Sequence, residues 1–150
     1  MKHITSLLLF LIGVVGGGIA IGVLTAPGAW YADLQKPFFN PPNWIFGPVW
    51  TLLYLGIAYV GWRQWQQAGS AALQRLWAGQ MALNFLWSPA FFALQMPVLA
   101  LLIILTLLAV LVIFVRRAWH TDRISAVIFL PYLAWVAFAT ALNTAIVLLN

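Results

Sequence analysis

Apolar residues run along this chain in five long blocks, separated by short polar or proline-bearing stretches rather than alternating with polar positions. The blocks cover 4–24, 46–66, 71–95, 98–119 and 124–149. Each is close to the roughly 20 residues that a helix needs to cross about 30 Å of hydrocarbon. Barrel strands would alternate in polarity over about ten residues, whereas residues 98–115 hold no charge and a single hydroxyl, Thr106. The pattern therefore predicts an all-α integral membrane protein, a single domain built as a bundle of five transmembrane helices. Three of the four connections are short. The first, 25–45, carries Pro27, Pro37, Pro41 and Pro42 and is long enough to be a structured loop, a candidate lid.

Composition agrees and narrows the function classes. Of the 150 residues, 65% are hydrophobic and 6% charged, against about 25% charged in soluble domains. A soluble enzyme, a secreted disulfide module and a disordered tail are excluded. With no cysteine there is no disulfide, thiolate site or cysteine nucleophile. The net charge of +5 comes from seven scattered Lys and Arg that form no continuous patch, so nucleic acid is not the expected partner. Their expected role is orientation in the lipid bilayer. Lys2, Arg63, Arg75, Arg116, Arg117 and Arg123 fall on one side and only Lys36 on the other. The positive-inside rule then puts the N-terminus in the cytoplasm and the long loop outside, if this is a bacterial inner membrane; an outer membrane needs a separate argument. The first block is read as a retained span, because its apolar run exceeds a leader's h-region of 7–15 residues and Pro27 sits badly beside an Ala26 cleavage site.

The charged residues offer little chemistry. Asp33 and Asp122 are the only acids, each expected to sit beside a base, Lys36 and Arg123 respectively. None is predicted at membrane depth, which argues against an ion-coupled carrier. His3 and His120 stand alone at span ends, so no metal site is expected. Paired carboxylates or a hydrolytic triad lack their parts.

Aromatic residues are in excess, with 9 Trp, 10 Phe and 4 Tyr. Trp30, Trp44, Trp62, Trp65, Trp77 and Trp119 lie near span ends and are read as an interfacial belt. Trp50, Trp87 and Trp135 fall inside spans, where an indole N–H needs a partner. Gln80, Asn84, Trp87, Ser88 and Phe91 share one face of the third span, and Trp135, Ala139, Asn143 and Ile146 one face of the fifth. An unpaired amide in hydrocarbon is costly, so Asn84 and Asn143 should point inward. Two readings stay open: interhelical hydrogen bonding or a ligand cavity, since such pockets are mainly aromatic with few polar groups. Pro89 and Pro131 are expected to bend their helices and Pro48 to occupy a first turn. Gly13 with Gly17, Gly18 with Gly22, and Ala78 with Ala82 form small-residue pairs suited to close helix approach, within one chain or between two.

Specific runs resemble a known family. Trp30-Tyr31-Ala32-Asp33-Leu34-Gln35-Lys36-Pro37, Asn40-Pro41-Pro42-Asn43-Trp44 and Gly47-Pro48-Val49-Trp50 resemble the loop and second-helix signature of the tryptophan-rich sensory protein and translocator protein (TspO/MBR) family, also called the peripheral benzodiazepine receptor family. Ala82-Leu83-Asn84-Phe85-Leu86-Trp87-Ser88-Pro89 is similar to its third-helix motif. Pro131-Tyr132-Leu133-Ala134-Trp135 with Phe138-Ala139-Thr140-Ala141-Leu142-Asn143 is similar to its fifth. The resemblance spans essentially the whole chain.

It implies a five-helix bundle forming a homodimer, with a pocket opening toward the long loop that binds porphyrins, other tetrapyrroles and benzodiazepine-type drugs, without a required cofactor. By motif, Tyr31 and Pro42 belong to the lid, and Ile45, Phe46 and Trp50 to the mouth and wall. Asn84, Phe85 and Trp87 face the pocket from the third helix, and Trp135, Ala139, Leu142 and Asn143 from the fifth. The light-dependent breakdown of protoporphyrin promoted by some bacterial relatives would map onto Trp50 and Trp135 as the catalytic pair, through indole redox or radical chemistry. One motif is missing: animal members end the fifth helix with a cholesterol-recognition sequence of Leu or Val, Tyr and a base, but residues 142–150 hold Thr144 in the Tyr position and no Lys or Arg. Three readings thus compete: a porphyrin-binding membrane sensor or carrier, a tetrapyrrole-degrading enzyme, and a structural partner assembling through small-residue faces.

Overall fold

The computed structural model describes residues 2–67 and 69–150, which contain helices and no strand. The Lys2 side chain, one of the charges counted for orientation, lies outside that description. The first span is a continuous rod: α1 (Lys2–Leu11) passes through a π-helical turn (Ile12–Gly16) into α2 (Gly17–Leu24). It stops ahead of Pro27, consistent with the clash that a proline imposes on a preceding helical residue. The long loop contains α3 (Ala29–Asp33) and a 3-10 turn (Asn43–Ile45) that leads into α4 (Phe46–Gln66). Pro48 sits in the first turn of α4, where its missing N–H has no intrahelical partner to lose.

The third span is α5 (Ala71–Ser88), extended by a π-helical turn (Pro89–Ala93). Pro89 thus acts by widening the helix, and its carbonyl accepts from Leu94 N at 2.9 Å. Gln95 at φ 55° then ends the rod. Two long helices follow, α6 (Pro97–Thr121) and α7 (Arg123–Leu149), and Pro131 is carried inside α7 without a break in the helix. Four of the five rods are long and apolar enough to cross a membrane: His3–Leu24, Asn43–Gln66, Pro97–Thr121 and Arg123–Leu149. The third is as long, but Gln74, Arg75, Gln80 and Asn84 lower its hydropathy. The contacts close a ring in the order first, second, fifth, fourth, third span, with the tightest packing of α6 against α7 and α5.

The core occupies one half of this ring. Phe114, Phe129, Tyr132, Ile57, Ile104, Leu107 and Leu111 are fully buried, and the Phe114 and Phe129 rings approach to 4.4 Å between centroids. Apart from Ile104 and Leu107 in the first half of α6, these positions belong to the second halves of α4 and α6 and the first half of α7, so the core lies from mid-bundle toward the α6–α7 turn. At that end Asp122 accepts from Arg63 Nε at 2.9 and 3.0 Å, Gln64 Nε2 at 2.8 Å and Ser125 Oγ at 2.6 Å. Its partner is therefore Arg63 rather than the neighbouring Arg123, whose guanidinium lies over the Trp119 ring at 4.8 Å. Burial by itself would raise the Asp122 carboxyl; the hydrogen bonds from Ser125 and Arg63 and the Arg63 charge outweigh it and hold the group below its ordinary range. Between α4 and α5 the chain turns through Gly69 at φ 83°, a conformation that costs other residues more.

One expectation needs correcting here. Trp77 is buried, with its Nε1 donating to Ile57 O at 2.9 Å, so it is a core residue and not part of the belt. Of the first-span glycines, Gly17 and Gly18 serve contacts within the chain, one of the two uses expected of them: a side chain at Gly18 would run into Tyr54, and one at Gly17 would meet Phe85, whereas one at Gly13 or Gly22 would meet nothing within 4 Å.

Candidate functional site

The other half of the ring, under the long loop, is hollow. A cavity of about 360 Å³ lies between the second half of the first span, the first half of α4, the end of the third span and the end of α7. Two stacked aromatic pairs form much of its wall. On α4, Trp50 and Tyr54 are one helical turn apart and stack at 5.5 Å and 29°. On the third span, Trp87 and Phe91 have the same spacing and stack at 5.5 Å and 28°. Phe46, Phe92, Leu142 and Ile146 add apolar surface.

Polar groups enter sparsely, and several are held by hydrogen bonds. Tyr54 Oη donates to Asn84 Oδ1 at 2.8 Å, and Asn84 Nδ2 donates to Tyr132 Oη at 2.7 Å. Trp87 Nε1 donates to Asn143 Oδ1 at 3.1 Å, and Asn143 Nδ2 donates to Pro97 O at 2.9 Å. The Thr25 and Ser88 hydroxyls share a hydrogen bond of 2.6 Å across the first and third spans. No residue lining the cavity carries a charge. Such a site suits a flat, largely apolar ligand, because neutral donors and acceptors can orient it without the desolvation cost of a buried ion.

The loop closes one side. Tyr31 is buried against Phe92 and Phe91, at 5.2 and 6.2 Å between ring centroids. Burial pushes its phenol above the ordinary value, and its hydrogen bond to Asn40 works in the opposite direction. Lys36 Nζ sits 4.6 Å from the Tyr31 ring centroid and donates to Ala32 O and Leu34 O, tying off the end of α3. Farther along, Gln35 and Asn150 exchange two hydrogen bonds, Gln35 N to Asn150 Oδ1 at 3.0 Å and Asn150 Nδ2 to Gln35 O at 3.1 Å. This clasp fastens the loop to the end of α7.

Of the residues singled out from sequence, Tyr31, Phe46, Trp50, Asn84, Trp87, Ala139, Leu142 and Asn143 meet around this cavity. Phe85 lies behind it, with its ring 6.3 Å from that of Tyr54. Pro42 and Ile45 lead into α4 outside the lining. Trp135 borders a separate outer groove with Val49, Leu52, Leu53, Pro131, Ala134 and Phe138. It reaches the cavity only through Phe46, ring to ring at 5.8 Å. Asn84 and Asn143 bond across helices and also border the cavity, so hydrogen bonding between helices and a place in the lining do not exclude each other. Tyr54, Thr25 and the first-span face of Ile19, Gly22 and Val23 also line the cavity, beyond the residues expected there. Tyr54 had a usable signal, its position four residues after Trp50; the first span had none, being apolar on every side.

A model of the TspO/MBR family matches residues 7–149. The tryptophan-rich protein TspO of Archaeoglobus fulgidus is 40% identical over 152 aligned residues, covering 99% of each chain. The tryptophan-rich sensory protein of Cereibacter sphaeroides is 33% identical, covering 97% of this chain and 92% of its own. The translocator protein of Homo sapiens is 36% identical, covering 76% of this chain and 70% of its own.

Proposed function

This chain belongs to the TspO/MBR family, and from that premise we propose that it binds porphyrins and related tetrapyrroles, and benzodiazepine-type molecules, in the cavity under the loop. The observation that carries this reading is the pair of stacked aromatic walls, Trp50–Tyr54 and Trp87–Phe91, around a lining without charge. The volume of about 360 Å³ is at the small end of ligand sites, so a macrocycle enters with the loop raised. Its acidic side arms find no cation inside and stay at the mouth, where Lys36 is the nearby base of the loop. The names sensory protein and translocator protein, carried by relatives, fit a protein whose bound state is passed on to a partner or to the other side of the membrane.

Binding is better supported than turnover. Degradation through paired indoles calls for both at the ligand, but Trp135 stands behind Phe46. The family's homodimer would use the exposed small-residue face of α5, Ala78, Gly79 and Ala82. The orientation set by the basic residues places the loop end on the non-cytoplasmic side of an inner membrane.

Titration of the purified protein with protoporphyrin, read by the porphyrin's own absorption, tests the site. Trp50→Ala should weaken binding at least tenfold and Trp135→Ala by less than about threefold. Equal, small effects of both substitutions count against this cavity.

A further inference from the structure

Beneath the cavity the hydrogen bonds form a chain with a direction. Tyr54 Oη donates to Asn84 Oδ1, Asn84 Nδ2 to Tyr132 Oη, and Tyr132 Oη to Gln80 Oε1 at 2.9 Å. Tyr54 and Asn84 border the cavity, whereas Tyr132 and Gln80 are sealed off from it. The chain ends in an unmet need: Gln80 Nε2 is buried and finds no acceptor among the described residues.

Turning both amides over, so that oxygen and nitrogen exchange places in Asn84 and Gln80, keeps the three heavy-atom separations and reverses every donor. Gln80 Nε2 then donates to Tyr132, Tyr132 to Asn84 Oδ1, and Asn84 Nδ2 to Tyr54. The proton of Tyr54 is released toward the cavity. The unmet group at the far end becomes a carbonyl, which buried structure tolerates better than an orphan N–H. In one direction Tyr54 offers the ligand a lone pair; in the other it offers a proton. Partial satisfaction at Gln80 keeps either direction from being strongly preferred.

We propose that Tyr54, Asn84, Tyr132 and Gln80 form a reversible relay that lets one cavity bind aromatic ligands bearing an N–H donor or a ring-nitrogen or carbonyl acceptor, with Gln80 as a positioning residue that sets the balance. The inference rests on the cavity being a ligand site, not on the ligand being a tetrapyrrole. Tetrapyrroles, which carry both pyrrole N–H and imine nitrogen, are one class that such a site accommodates.

Carbazole and acridine are suitable probes, being flat three-ring molecules of similar size with an N–H donor in the first and an acceptor nitrogen in the second. Affinities are measured on the detergent-solubilised full chain, with matched empty micelles subtracted. Wild-type protein should bind both within about threefold of each other. Gln80→Met leaves Tyr132 only Asn84 as acceptor, which fixes Tyr54 as a donor; the ratio should then move about tenfold in favour of acridine. Tyr54→Phe should remove that shift when combined with Gln80→Met. A second readout needs no variant: the tyrosine Raman doublet, sensitive to whether a phenol donates or accepts, should differ between carbazole-bound and acridine-bound wild-type protein.

Equal weakening of both probes by Gln80→Met, an unchanged ratio, or identical Raman spectra in the two complexes overturns the relay. Failure of wild-type protein to bind either probe removes the ligand site itself. Should the tricycles bind and the ratio shift while protoporphyrin does not bind, only the tetrapyrrole reading falls.

Discussion

At the end of the bundle where α4 meets the α6–α7 turn, one carboxylate, Asp122, gathers donors from Arg63, Gln64 and Ser125 and sits on a filled aromatic core. At the loop end the polar groups are neutral, spread over several helices, and border empty space. The first arrangement saturates a buried charge and ties three segments together. In the second, Tyr54, Asn84, Trp87 and Asn143 are held by one or two bonds each, leaving lone pairs or protons to meet something else. Stability should therefore reside mainly at the closed end and recognition at the open end. Substitutions chosen to separate the two sharpen or break that division.

The largest effect is expected at the closed end. Asp122→Ala removes the ion pair and the N-cap of α7, and should cost about 3 kcal/mol of stability in thermal or denaturant unfolding. Ligand affinity of the folded fraction should change by less than about threefold. A comparable loss of affinity would show that the two ends are not independent. The same clamp has a pH signature. The folded Asp122 carboxyl lies below its ordinary value, so the clamp's contribution is present above the unfolded carboxylate's range and disappears as pH falls through the lowered folded value. Melting curves of wild-type protein and Asp122→Asn should converge in acid and separate toward neutrality.

Next comes Asn84→Leu, which takes the acceptor from the Tyr54 hydroxyl and one donor from Tyr132, whose hydroxyl keeps its bond to Gln80. It should cost about 1–2 kcal/mol in unfolding and weaken protoporphyrin more than tenfold in the same absorption titration. Trp87→Phe keeps a ring against Phe91 but loses the bond to Asn143. A loss of roughly fivefold in affinity is expected, about 1 kcal/mol. The smallest effect belongs to the clasp, which holds the loop in the free state and is parted in the bound one: Asn150→Ala should speed association in stopped-flow traces and tighten binding by about twofold to threefold, with dissociation nearly unchanged.

The fold was legible because a bilayer makes hydropathy blocks unambiguous: without water every backbone group must be satisfied within its own rod. The site was legible where aromatic and amide residues recur at helical spacing, as Asn84, Trp87 and Asn143 do. Trp135 obeys the same spacing on α7 with Ala139 and Asn143, but Phe46 from α4 stands between it and the cavity. Spacing along one helix cannot foresee a neighbour's side chain. Likewise Asp122 has Arg123 beside it in sequence, yet the α6–α7 turn carries Asp122 inward to Arg63 and leaves Arg123 stacked on Trp119. The glycines of the first span were suited to close approach within one chain or between two, and spacing alone could not choose; Gly18 is met by Tyr54 of α4.

The most direct test of recognition at the open end is a structure determined with protoporphyrin bound. The account predicts the macrocycle between Trp50 and Trp87, with the loop raised, the Gln35–Asn150 bonds parted and the Arg63–Asp122 pair unmoved. Density for the ligand in the outer groove beside Trp135, with the cavity filled by collapsed side chains, would contradict it.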